Sequence, residues 1–152
     1  MRRVILCAVV VLSCSATTPT SADFLVSDFY AHKVLRYDET GVFLGDFISG
    51  GPLQSPSDMT LGPDGNVYVI SQGNTSILRY QWPSGEFLGS FALGGNLGSM
   101  RDLTFGPDGN LHVVAHGGVK EYDGITGEYL GDLIPARPMF GDETIGLIDF
   151  GS

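Results

Sequence analysis

The chain is poor in basic residues, with 8 Lys and Arg against 17 Asp and Glu among 152 residues and a formal net charge of −9. Phosphate backbones and anionic membranes are bound by clustered Lys and Arg. No such cluster exists here, so nucleic acid is excluded as a partner. Cysteine is scarcer still: Cys7 and Cys14 are the only two, and both precede Asp23. The remainder of the chain therefore has no disulfide, thiolate metal site or cysteine nucleophile. Long apolar runs are also missing, because Val4 to Leu12 falls well short of the roughly 20 residues that span a bilayer. Gly-x-Ser-x-Gly, His-Glu-x-x-His, the phosphate-loop Gly-Lys-[Ser/Thr] and the calcium-hand loop are all absent. What the chain does have is turn residues, 22 Gly and 8 Pro, set in a sequence that is 43% hydrophobic. That composition excludes a disordered chain and favours short elements joined by tight turns.

The N-terminus reads as an address. Met1-Arg2-Arg3 is a positive leader, Val4 to Leu12 an apolar run, and Thr20-Ser21-Ala22 a small-residue stretch before Asp23. Residues 1–22 are accordingly expected to be a secretory signal peptide, and the product to be secreted or periplasmic. Val11-Leu12-Ser13-Cys14 offers an alternative, a lipoprotein anchored through Cys14. A buried N-terminal strand is a third use for the same run. Removing Arg2 and Arg3 would leave the exported chain more acidic still.

From residue 23 onward the chain repeats with a period of about 44 residues. Gly62-Pro63-Asp64-Gly65-Asn66 recurs as Gly106-Pro107-Asp108-Gly109-Asn110, and Phe43-Leu44-Gly45 recurs as Phe87-Leu88-Gly89 and Tyr129-Leu130-Gly131. Leu35-Arg36-Tyr37 matches Leu78-Arg79-Tyr80, with Lys120-Glu121-Tyr122 in the third copy. Punctuation divides the best copy into four short runs rich in Val, Ile, Leu, Phe and Tyr, at 58–61, 67–71, 76–81 and 86–92. They are too short for helices and read as four antiparallel strands. Pro63 presets φ, and Gly65 supplies the positive φ a tight hairpin needs. Val67-Tyr68-Val69-Ile70 is apolar at both side-chain parities, as expected for a strand packed on both faces. Four such strands make one propeller blade.

The run Leu61-Gly62-Pro63-Asp64-Gly65-Asn66-Val67-Tyr68-Val69-Ile70, then Ile77-Leu78-Arg79-Tyr80, then Gly85-Glu86-Phe87-Leu88-Gly89 resembles the bacterial NHL-repeat propellers and the related gluconolactonase and streptogramin-lyase families. The resemblance covers 23–152. It implies an all-β propeller of about three four-stranded blades, roughly 23–47 plus 146–152, 57–92 and 101–133. Because 24–27 align with the second strand of a blade and 147–152 with a first strand, the first blade is expected to be completed from both chain ends. Three blades do not readily close a ring, so the chain reads as a partial ring. It is either a fragment of a longer reading frame or half of a six-bladed ring that a head-to-tail homodimer closes.

In these families the ligand site lies where the axial channel opens. Carried over, its loops are 49–56, 93–100 and 133–145 before the inner strands, and 28–32, 72–75 and 115–118 between second and third strands. Asp58 and Asp102 start equivalent inner strands; together they could supply oxygen ligands to a divalent cation, or they could bond neighbouring-blade amides. Arg101, whose counterpart is Ser57, is an anion anchor or half of a surface ion pair. His32 and His116 lie in loops of one kind and could form an acid/base or metal pair, and Arg137 lies in the longest of the loops. His112 replaces Tyr68 inside a blade and is accounted for by packing, while Asp64 and Asp108 are accounted for by turn chemistry. Trp82 reads as a staple at the solvent edge. The lyase and lactonase relatives hold a metal through Glu, Asn, Asp or His spread over several blades, and no Glu or His recurs here at the inner-strand positions Asp58, Asp102 and Leu147. The expected function is a secreted, non-catalytic binding or scaffold module for a protein, glycan or small ligand. A metal-dependent lactonase- or lyase-like enzyme, or a fragment of one, is the alternative. No cofactor is expected beyond a divalent cation.

Overall fold

The structure, a computed structural model, describes residues 6–12, 23–92 and 94–136. Arg137 and the terminal strand expected at 146–152 lie outside the described residues. Among the described residues, twelve strands form three four-stranded antiparallel sheets. The first contains β1 (Leu6–Leu12), β2 (Asp23–Asp28), β3 (Lys33–Tyr37) and β4 (Phe43–Ser49). In the second are β5 (Pro56–Leu61), β6 (Val67–Ser71), β7 (Ser76–Tyr80) and β8 (Phe87–Ser90). The third is built of β9 (Met100–Phe105), β10 (Leu111–Ala115), β11 (Gly118–Tyr122) and β12 (Tyr129–Ile134). Each sheet is a simple meander, and the leading strands sit side by side, β1 against β5 and β5 against β9. This is the arrangement of consecutive blades around an axis. Among the described residues there is no α-helix, and no helix long and apolar enough to cross a membrane.

β6 shows why the strands carry apolar residues at both parities. Val67 and Val69 pack with Leu25, Val34, Phe47 and Leu78 between the first and second sheets. Tyr68 and Ile70 pack with Phe91, Leu103, Leu111 and Val113 between the second and third. All five residues of β6 are buried, as are all five of β10. Burying a large apolar side chain contributes about 1.5–3 kcal/mol, so the inter-sheet layers hold the blades together.

Outer-strand contacts recur with the repeat. At Gly85 a Cβ would lie 2.0 Å from the Phe47 carbonyl oxygen, and at Gly127 it would lie 1.9 Å from that of Phe91. The second and third blades thus each seat a glycine turn directly on the backbone of the blade before. Trp82 reinforces the first junction: its ring is 5.4 Å from that of Phe47, and the Arg36 guanidinium lies 4.6 Å from its centre. It is a staple between blades.

The first sheet differs from the sequence expectation at one edge. The place beside β2 is held by Leu6–Leu12, paired antiparallel from Leu12 opposite Asp23 to Leu6 opposite Asp28. The apolar run read as an export signal therefore supplies the inner strand assigned above to 146–152. The run is rich in Val and Leu, residues that suit a strand packed in a sheet.

Candidate functional site

The loops at one end of the strands converge on a cleft of about 530 Å³ lined by Phe29, Ser57, Gln72, Ser99, Met100 and Arg101. Every sheet contributes. Phe29 comes from the turn after β2, Ser57 from the start of β5, Gln72 from the 3₁₀ turn after β6, Ser99 from the approach to β9, and Met100 and Arg101 from its start. Polar contacts fix this wall: Gln72 Nε2 donates to the Met100 carbonyl, and Ser27 Oγ donates to the Ser57 carbonyl at 3.1 Å. Ser71 Oγ accepts from Gln54 N–H at 2.9 Å, tying β6 to the loop before β5. Arg101 is exposed, so its guanidinium is available at the rim.

Asp58 and Asp102 stand directly behind Ser57 and Arg101, and the structure brings them together. Asp58 Oδ2 accepts the Leu103 N–H at 3.1 Å, reaching from the second blade to the third, and its carboxyl hydrogen-bonds that of Asp102. Burial, followed by the bond to Asp102 and the charge of that group, raises the Asp58 carboxyl to about 8. Two carboxyl groups holding one proton form a clasp between blades that carries a single negative charge. One oxygen of the pair, Asp58 Oδ2, is engaged by the Leu103 amide.

The two histidines are placed on different loops. His32, at φ 57°, accepts the Ser55 N–H on Nδ1 at 2.8 Å, which fixes the loop before β5. His116, at φ 50°, lies against the loop before β9, so close that a Cβ on Gly98 would meet its Nε2 at 2.5 Å. His32 docks on the loop that follows its own blade, and His116 on the loop that precedes its own. Of the six candidates, Arg101 lines the cleft, Asp58 and Asp102 lie behind it, His32 and His116 brace its loops, and Arg137 is outside the described residues. Phe29 and Gln72 lie in loops the repeat pointed to, but neither has a counterpart that marks it out: Tyr30 is equally aromatic and is 64% exposed.

No protein-family model matches the chain, and no curated protein is similar to it in sequence. Solved structures are. Virginiamycin B lyase from Staphylococcus aureus superposes with a TM-score of 0.63 at 12% identity, covering 88% of this chain and 42% of that one. A streptogramin B lyase gives 0.61 at 20% identity, covering 76% and 38%. The fold is a β-propeller of the lyase and gluconolactonase type. A gluconolactonase-family protein completes the comparison, with a TM-score of 0.60 at 19% identity over 76% of this chain and 44% of its own. The chain spans less than half the length of each of these propellers. Its three sheets thus correspond to an open arc of a propeller ring.

Proposed function

We propose that the protein is an exported, non-catalytic propeller that binds a small organic anion with an apolar body in the cleft between its three blades. The observation that carries this reading is the division of labour at the cleft. The Asp58 and Asp102 carboxyls are turned to each other and to Leu103, which leaves Arg101 as the charged group on the cleft wall. Phe29 and Met100 give that wall apolar surface, while Gln72, Ser57 and Ser99 give it hydrogen-bonding groups. A cation, aromatic surface and a few polar groups in one concavity suit a carboxylate ligand better than a bare metal. In our reading export rests on the leader sequence before Asp23, and removal of residues 1–22 would take β1 with it and leave β2 as the inner edge of the first sheet.

The likeness to lyases and a gluconolactonase-family protein favours a second reading, an enzyme of that kind. Because the chain spans less than half of those propellers, that reading requires further blades to complete the site. Such completion is supported by the outer face of the third sheet. Leu133 and Ile134 are 52% and 46% exposed, whereas Phe47 and Ile48, their counterparts in the first sheet, are 8% and 4% exposed. In our reading a second copy, set head to tail, covers this face.

Titration with benzoate, the simplest aromatic carboxylate, tests the binding reading. Amide signals of Phe29, Gln72 and Met100 through Asp102 are expected to shift saturably in nuclear magnetic resonance spectra, and Arg101→Ala is expected to abolish the response. Shifts that persist in Arg101→Ala, or none at the cleft in the wild type, would count against it.

A further inference from the structure

The two Gly-Pro-Asp-Gly-Asn hairpins have the same backbone but different surroundings. In the second blade Asp64 Oδ2 accepts the Tyr68 hydroxyl at 3.0 Å, and Arg79 Nη1 lies 3.9 Å away. Tyr68 and Arg79 are cross-strand partners in the β6–β7 register. The first blade has Arg36 at that position, paired with Asp23 at 2.5 Å. In the third blade the same partners are His112 and Glu121. An imidazole replaces the phenol and a carboxylate replaces the guanidinium, so the charge beside the turn aspartate is reversed.

The consequence is a mixed nitrogen and oxygen ligand set. Ligand atoms of Asp108, His112 and Glu121 all lie within 4.8 Å of one another, with His112 Nε2 3.9 Å from Glu121 Oε1. Asn110 Nδ2 donates to Glu121 Oε1 at 2.8 Å and to Asp108 Oδ2 at 3.3 Å, which draws the carboxylates together. Lys120, the neighbouring cation in sequence, is engaged with Asp132 at 2.7 Å. The imidazole is 3% exposed and therefore fixed, whereas Asp108 is exposed and Glu121 half-buried, free to adjust. Packing alone does not call for this set, because Tyr68 fills the equivalent space in the second blade.

We propose that Asp108, His112 and Glu121 bind a first-row divalent transition cation, for which zinc is the best match. One imidazole and two carboxylates suit zinc, whose nitrogen and oxygen ligands stand about 2.0–2.2 Å from the metal. Ligand atoms around a tetrahedral ion at that distance are roughly 3.3–3.5 Å apart, so small rotations of Asp108 and Glu121 close the set. Solvent at the exposed turn supplies the fourth ligand. The site is at the β9–β10 hairpin, the opposite end of the strands from the Arg101 cleft, and does not depend on the proposed ligand.

The test is isothermal titration of metal-free full chain with zinc chloride, read beside the thermal melting curve. The wild type is expected to take up one zinc per chain and to melt higher when loaded. His112→Tyr/Glu121→Arg installs the residues of the second blade, which the fold already accommodates, and is expected to abolish binding. Asp108→Asn keeps the acceptor for the Asn110 N–H and is expected to weaken binding, while Asp58→Asn leaves it unchanged. Absence of zinc uptake by the wild type overturns the proposal. Undiminished uptake by the folded double variant also overturns it, because zinc would then be held elsewhere, as at His32 or His116.

Discussion

Replacing Asp58 with Asn should stabilise the protein at neutral pH, although it removes a partly buried group from the seam between two blades. Raised from 3.8 to about 8 by burial and by Asp102, the folded carboxyl keeps a proton that the unfolded chain releases. The folded state therefore binds more protons than the unfolded state between those values, and stability falls as pH rises through that window. Relative to a chain whose Asp58 is ionised, the contribution is fully present below the unfolded value and is lost by about pH 8. At about 1.4 kcal/mol per pH unit the cost at pH 7 has a ceiling of about 4 kcal/mol. Sharing of the proton with Asp102 brings the expected gain for Asp58→Asn nearer about 2 kcal/mol. Asn suits the position because its carbonyl oxygen still accepts the Leu103 N–H and its amide can donate to Asp102. Urea denaturation of both proteins at about pH 5 and about pH 8 measures the effect. The wild type should be weaker at the higher pH, and the advantage of the variant should grow with pH. An advantage that is absent, or that shrinks toward alkaline pH, would refute the shared-proton clasp.

Glycine substitutions separate steric from conformational costs. Gly85→Ala places a methyl against the Phe47 carbonyl, and Gly127→Ala does the same at Phe91, so each should lose at least about 2 kcal/mol in urea denaturation. Gly65→Ala meets nothing within 4 Å and retains only its positive φ of 77°, so its loss should stay near about 1 kcal/mol. Association is tested by light scattering after size-exclusion chromatography. The wild type is expected as a dimer and Leu133→Glu as a monomer; a monomeric wild type would remove the support for ring closure by a second copy.

Where the repeat holds, the fold is legible in the sequence nearly residue for residue. The runs at 67–71 and 76–81 become β6 (Val67–Ser71) and β7 (Ser76–Tyr80), and Gly65 and Gly109 take the positive φ of 77° and 83° that the hairpins require. The reason is physical: strand length, turn chemistry and two-faced burial all agree within each copy. Leu6–Leu12 was less legible, because an apolar run of that length suits an export leader and an inner strand equally well. Nor does chain order reveal that Asp58 meets Asp102. Equivalent positions on adjacent blades come together only once the β5–β9 contact is known.

The metal-ligating set at the third hairpin illustrates a different limit. Compared only with one another, the histidines look unpromising, since four residues along a strand separate His112 from His116 by roughly 13 Å. The useful comparison runs across the strands and along the repeat. Tyr68 becomes His112 and Arg79 becomes Glu121, two departures from the pattern that face each other in one antiparallel register. Either change alone would leave Asp108 much as Asp64 is, beside a neutral ring or a neutralising cation. Together they put two carboxylates and an imidazole around one point on a turn whose backbone has not changed. In a repeat protein the shared residues specify the scaffold, and paired departures at cross-strand positions are where a single blade can acquire chemistry of its own.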